Sequence, residues 1–527
     1  MSGDYSRKRF NPEKHYQGVL RQQGRVDLDA DWNEYVDLQD RRWRAETIDV
    51  VGRSGVPDET PDGFKIAVSG GELTVGQGRM YVDGYVAENH GTAPAFEPTL
   101  EEGYGTAALP VKNQPYGGPV TVPAQVRSLV YLDVWRREVT HLQAPDLIEP
   151  AVNVDSTTRH QTAWQVRVLA NIPPDITCDT PLSDIPGWPT GNRSSSARLT
   201  TTTVAVTTEP DPCLVPPTGG YRGLENHLYR VEVHSATTTT AKVKWSRENA
   251  HVATSLLEIL AGRTTVRVES LGRDDVLRIK TGDWVELTSD QREFAGLPGE
   301  MRKVTVDDAN QTLTFSPALP AADFPQGVVD AAKHVRVIRW DQSGIVRKPD
   351  GSQLINLDLT SDGLIELSAA NPSFVLELGV QATLTVLAGG TAHSGDYWCF
   401  AARTADADIE RLNQAPPLGI HHHHAHLAII EPNGEIHDCR TVFPPLTELT
   451  PGCCTVVVRP GEDIQAAIDS LPDEGGCVCL KVGDHEIQAP IRIEKSHVSL
   501  HGETLGARVV RTDGPELLRI AHPDGLL

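Results

Sequence analysis

The stretch from Tyr16 to Gly52, YQGVLRQQGRVDLDADWNEYVDLQDRRWRAETIDVVG, is the part of the chain whose reading decides the fold. Its first half reads as a short strand, a turn at Gly24 and a second short strand from Arg25 to Leu28. One long helix follows. Asp31 and Glu34 have the spacing of a capping box, in which the Asp carboxylate accepts from an orphan amide and the Glu side chain reaches back to the cap. Gly52 supplies the stop. Trp32, Tyr35, Val36 and Trp43 fall on one side of this helix, while Asp37, Asp40, Arg41 and Arg44 give the other side alternating charge. Two tryptophans on one helix, in a chain with 6% aromatic residues, mark a packing centre. Its partner is either the helix's own domain or another subunit of an assembly.

Composition narrows the class. A chain of 527 residues holds roughly three or four domains. Its 39% hydrophobic and 23% charged residues describe an ordinary soluble protein. The net charge of -23 argues against a nucleic-acid binder, because phosphate neutralisation needs clustered Lys and Arg, and it disfavours anionic membranes. There is no apolar run of membrane-spanning length and no charged-then-apolar leader at MSGDYSRKRF, so cytoplasmic synthesis is expected, with exit only as part of a larger particle. The eight cysteines lack CxxC spacing: Cys178 and Cys213 flank a Ser/Thr-rich segment, Cys399 and Cys439 stand apart, and Cys453, Cys454, Cys477 and Cys479 cluster late in the chain. They read as structural or free thiols, not as a zinc site.

Taken in order, residues 1 to 52 form a polar arm and docking helix. Residues 53 to 170 form a first β-domain, with a meander over Gly63 to Glu88, a Gly/Pro-rich loop from 89 to 125, and strands at Leu129–Val139 and Thr162–Ala170 that pair with each other. Residues 171 to 222, rich in Pro, Ser and Thr, read as a loop or linker. A second β-domain with a small barrel spans 223 to 345, including a hairpin across Thr237 to Thr240 and a GDW turn. A third, carrying a histidine-rich strand, spans 346 to 450, and 451 to 527 is a separate C-terminal piece. The fold class is thus mainly β and multi-domain, with several small sandwich or barrel modules after one long N-terminal helix.

QQGRVDLDADWNE, YLDVWRREVT, ENHLYRVEVH with KWSREN, GDYW with AAR, and HHHHAHLAII with DCRTVFPPL together resemble a bacterial family of unknown function associated with phage-tail-like contractile injection systems. The resemblance covers about residues 4 to 446 and implies membership of a particle; it carries no catalytic residues. The stretch from Val456 to Glu503 resembles the opening of a right-handed parallel β-helix of the pectate-lyase-like type, in which a helix bearing Ile464, Ala467, Ile468 and Leu471 covers the open end. Strands CVCLKV, IRIEK and HVSLHGE supply the first coils. The sequence stops at Leu527 after two or three coils, so either the chain is truncated or a partner covers the edge.

The most chemical-looking stretch is HHHHAH, His421 to His426. In a strand His422, His424 and His426 share one face, and His421 and His423 the other. A His-x-His pair, His424 and His426, repeated around a three-fold axis would place six imidazoles on one transition metal; the alternative is a polar strand whose histidines bond to backbone. Catalytic motifs are absent from the sequence: no GxSxG, HExxH or P-loop, and Asp484, Glu486 and Glu494 lie in the first coils, away from where a glycosidase needs its carboxylates. Two functions are therefore weighed. One is a non-enzymatic structural subunit of a contractile injection particle near its baseplate, spike or fibre end, a homotrimer contacting baseplate, spike or tube components. The other is a carbohydrate-binding or carbohydrate-cleaving β-helix protein.

Overall fold

The computed structural model describes residues 3–69, 72–92, 107–203, 220–445, 454–502, 507–511, 514 and 517–520. The chain is mainly β, with one long N-terminal helix. It divides into two units, Met1–Val56 with Thr60–Val442, and Pro57–Glu59 with Phe443–Leu527.

In the larger unit the helix, α1, runs Asp29–Val51 and ends where Gly52, at φ 98°, donates its N–H to Ile48 O. Its start differs from expectation. Leu28 is the N-cap and no side chain caps it, because Asp29 is taken by Ser6 and Asp31 by Arg9. Both acids still lie in the first turn, where negative charge offsets the helix dipole. The two strands expected before the helix do not form; Gly24 does lie in a turn, at φ 70°.

The strands Ser128–Val139 and Arg159–Ala170 pair as expected, antiparallel over twelve residues. The histidine strand, His422–Ile430, lies against the other edge of Ser128–Val139 and pairs in turn with Ile436–Asp438. Alternate residues of Ser128–Val139 feed opposite cores. Val130, Leu132 and Val134 pack with Trp164, Val166, Ala425 and Leu427 against Phe64, Met80 and Val82 of the two N-terminal hairpins. On the other side Leu129 and Tyr131 pack under Ile172, Ile176, Ile185 and Trp188. The 171–222 segment is therefore not a linker throughout. Its first part is a packed cover joined to the strand layer by a Cys178–Cys439 disulfide, Ala197–Thr203 is a strand, and 204–219 lie outside the described residues.

The remaining modules are nested, not sequential. A sandwich pairs the sheet containing Ala197–Thr203 and Val380–Val386 with the sheet containing Thr240–Ser246, His227–Ala236 and Tyr397–Arg403 around Tyr229, Trp245, Phe374, Trp398 and Phe400. A barrel-like sheet from Ala253–Ile259 to Arg336–Trp340 is inserted between Ser246 and Ile345 of that sandwich. The sandwich itself is inserted between Ala170 and His422 of the first sheet. The expected boundaries at 223, 345 and 346 cut across these pairings.

Buried charge joins the inserted modules. Lys244 of the sandwich lies 2.5 Å from Glu286 of the barrel and 3.1 Å from Glu232. Asp290, at the start of the short helix Asp290–Phe294, takes Arg137 of the first sheet at 3.0 Å and the fully buried Arg336 at 2.7 Å. Each partner neutralises a charge that burial alone would make costly.

Among the described residues of the smaller unit, the ladders formed after residue 453 are parallel. Cys454–Val458, Gly476–Leu480 and Val498–Gly502 form one, Gly483–Ile487 with Ala507–Arg511 a second, and Ile491–Ile493 with Leu518–Ile520 a third. Asp463 caps the helix Ile464–Asp469, accepting from the Gln465 and Ala466 amides, and Ile464, Ala467, Ile468 and Leu471 pack on Val458, Val478, Leu480 and Ile491. Cys454 and Cys479 form a disulfide. Among the described residues no helix is long and apolar enough to cross a membrane.

Candidate functional site

Two features stand out from this framework: the N-terminal arm with its helix, and the histidine strand.

The arm is stitched into the larger unit. Gly3 N–H and the Tyr5 hydroxyl both donate to Glu138 Oε1 at 2.5 Å, Asn249 donates to Gly3 O at 2.9 Å, and Arg403 donates to Ser6 O at 2.6 Å. Burial, then Glu138, pushes the Tyr5 phenol well above its ordinary range, so it keeps the proton it donates. The helix is held by its charged side. Arg136 reaches Asp40 at 2.9 Å, and the Arg44 guanidinium lies 4.0 Å from the centre of the Tyr85 ring while donating to Asp83 O. Gly84, at φ 81°, permits the approach: a Cβ there would fall 2.7 Å from Arg44 O.

The aromatic side faces outward. Ala30 and Leu38 are the buried residues of the helix, whereas Trp32 is 62% exposed, Trp43 66%, and Tyr35 is exposed beside Trp32 with ring centres 6.0 Å apart. Val36 is half-buried. Tyr16, Leu20, Val26 and Leu28, in the segment before the helix, are exposed as well. The helix thus docks on its own unit through Ala30, Leu38 and its charged side, with Trp32, Tyr35 and Trp43 left exposed. An apolar stripe of this size left in water is unusual for an isolated domain.

The histidine strand alternates as expected. His423 faces Asp83, 3.0 Å away, and packs on Tyr85; His422 and His424 face Asp133. His422 Nδ1 is 2.7 Å from Asp133 Oδ1, and His424 Nε2 is 3.4 Å from the same oxygen. Arg167 Nε lies 2.8 Å from Oδ2, but off the line a hydrogen bond needs. Burial would raise Asp133; the His422 hydrogen bond, the two histidines and Arg167 outweigh it and hold the carboxyl below its ordinary value. Burial pulls His424 down to about 4, leaving a neutral imidazole at physiological pH.

His426 is separate, beside the Thr180 backbone. The pairing of His424 with His426 on a symmetry axis meets a steric obstacle. The His424 side chain is 7% exposed and is covered within its own chain by Trp188, ring centres 5.2 Å apart, and Tyr131. Sequence reading missed Asp133. Its signal is there in YLDVW, where an acid occupies an alternating position between Tyr131 and Trp135 in a stretch, Leu129 to Trp135, otherwise apolar on both faces. Asp484, one of the carboxylates considered for glycosidic chemistry, is held by Arg508 at 2.6 Å on the surface.

The chain belongs to a family of unknown function (DUF6519), whose profile matches residues 1–183 and 192–467. No curated protein and no solved structure matches it.

Proposed function

We propose that this chain is a non-enzymatic structural subunit of a phage-tail-like contractile injection particle, placed near its baseplate, spike or fibre end. The observation that carries the reading is the helix that binds its own chain through charge and turns Trp32, Tyr35 and Trp43 to solvent. Aromatic residues with few rotatable bonds bury much area for little entropy, which suits them to an assembly contact. The ordered motifs from Gln22 to Leu446 supply the particle context. The three parallel ladders fit the first coils of a parallel β-helix, and the two disulfides suit a chain that meets oxidising surroundings after release from the cytoplasm. Its partners are baseplate, spike or tube components and two further copies of itself. The test is quantitative mass spectrometry of sheath-containing particles sedimented from the native host: the chain is expected in fixed ratio to sheath, and its absence refutes the reading.

A further inference from the structure

We infer that Asp133, His422 and His424 form, within a single chain, a site for one divalent transition-metal ion. Each of the three offers one ligand atom, a carboxylate oxygen or an imidazole nitrogen, and these lie within 4.8 Å of one another. A metal held at about 2.0 to 2.2 Å by nitrogen and oxygen sets neighbouring ligand atoms about 2.9 to 3.4 Å apart. The two histidine-to-carboxylate distances, 2.7 and 3.4 Å, are within a few tenths of an ångström of that range.

A second, independent observation points to a missing ligand. His424 Nε2 has no hydrogen-bond partner among the described residues, although the His424 side chain is 93% buried and lies against the carboxylate, whereas Asp133 Oδ2 and Arg167 Nε already face each other as an ion pair at 2.8 Å. Buried polar atoms are nearly always satisfied, so a buried imidazole nitrogen left bare beside a carboxylate calls for a ligand. A metal on His424 Nε2 and Asp133 Oδ1 satisfies that nitrogen directly, while Arg167 keeps the carboxylate oriented from the Oδ2 side, as outer partners of metal ligands do.

The donor set selects the ion. Arg167 offsets the single carboxylate charge, so affinity rests on the imidazoles, which favours zinc, ferrous iron or cobalt over calcium or magnesium. The opening is at His422, whose side chain is 30% exposed, and His424 and Asp133 form the floor. Two histidines spaced i, i+2 on one strand and an acid directly opposite His424 on the next are brought together by strand pairing, although Asp133 and His422 are 289 residues apart in sequence. This site is independent of the particle reading and of any symmetry axis.

The experiment is equilibrium dialysis of the full chain, stripped with chelator, against Zn²⁺ alone, with metal counted by elemental analysis and the Co²⁺ form read by visible absorption. The expected result is about one ion per chain, affinity lowered about tenfold or more in His422→Ala, and unchanged binding in His426→Ala and His421→Ala. His422 is the least buried ligand, so its removal leaves the fold intact, which circular dichroism verifies. Asp133→Asn gives the second reading, a weakened Co²⁺ spectrum. Less than about 0.2 ion per chain, binding undiminished in His422→Ala, or one ion per three chains that is lost in His426→Ala would overturn the proposal.

Discussion

Replacing Lys244 with methionine tests how the inserted modules are locked together. The Lys244 side chain is 3% exposed, with its ammonium between Glu286 and Glu232 and 4.5 Å from the centre of the Trp340 ring. Methionine fills nearly the same space without charge. Glu232 keeps Arg230 at 2.6 Å, so the loss falls on Glu286. That carboxylate retains Gly299 N–H and Trp340 Nε1–H, each 3.0 Å away, but no full positive charge. His234, 3.7 Å off, is neutral, pulled down to about 4 first by burial and then by Lys244 itself. Leaving one partner of a buried pair uncompensated costs about 3–5 kcal/mol.

The pH dependence should change sign. In the native protein burial would raise Glu286, but Lys244 outweighs it and holds the carboxyl below its ordinary 4.5. A depressed carboxylate contributes stability that is present above that value and lost as pH falls through the folded pKa. In the variant burial acts on Glu286 against only the Gly299 and Trp340 hydrogen bonds, while His234 stays held down by its own burial. A Glu286 raised above its ordinary value binds its proton more tightly folded than unfolded, so stability should rise on acidification from about pH 8 toward about pH 5, at up to about 1.4 kcal/mol per pH unit. Urea titration followed by tryptophan fluorescence at both ends of that window measures the effect. A loss under about 1 kcal/mol at the alkaline end, or stability that falls on acidification as in the native chain, would refute the reasoning.

Gly84→Ala drives a Cβ to within 2.7 Å of Arg44 O at a positive φ, so it should loosen α1 from the sheet, cost about 1–3 kcal/mol and speed amide exchange over Asp29–Val51. Native exchange rates there would count against the close approach. Removing Cys178 and Cys439 together opens a link spanning 261 residues and should cost about 3–5 kcal/mol in a thermal melt. A trimer should give three times the chain's mass by light scattering at micromolar concentration, and a strictly monomeric mass contradicts self-association.

Legibility followed the range of the interaction. Ser128–Val139 and Arg159–Ala170 could be read because both carry strong strand patterning and only nineteen residues separate them. The partner of the histidine strand could not, since no local pattern says that His422–Ile430 completes a sheet begun nearly three hundred residues earlier. For the same reason the nested insertions looked like a row of domains. In 171–203 the buried Ile172, Ile176, Ile185 and Trp188 are spaced without period among prolines, so composition suggested a linker. The helix stripe was visible, but an amphipathic helix is ordinarily assumed to bury its apolar side, and here Arg44 on Tyr85 and Asp40 on Arg136 reverse that choice. The even histidines were placed on the right face; the acid opposite them lay in a strand read for its hydrophobicity.

The outward face of α1 is the proposed assembly contact. Trp32→Ala with Trp43→Ala in the full chain should change folding stability by no more than about 0.5 kcal/mol each, because both rings are exposed rather than buried. The decisive measurement is the copy number of this double variant, against the native chain, in particles purified from a host carrying each. Loss of the variant from particles, with unchanged circular dichroism and urea midpoint, is the expected result. Retention at the native copy number would contradict the claim that Trp32, Tyr35 and Trp43 hold this subunit in its assembly.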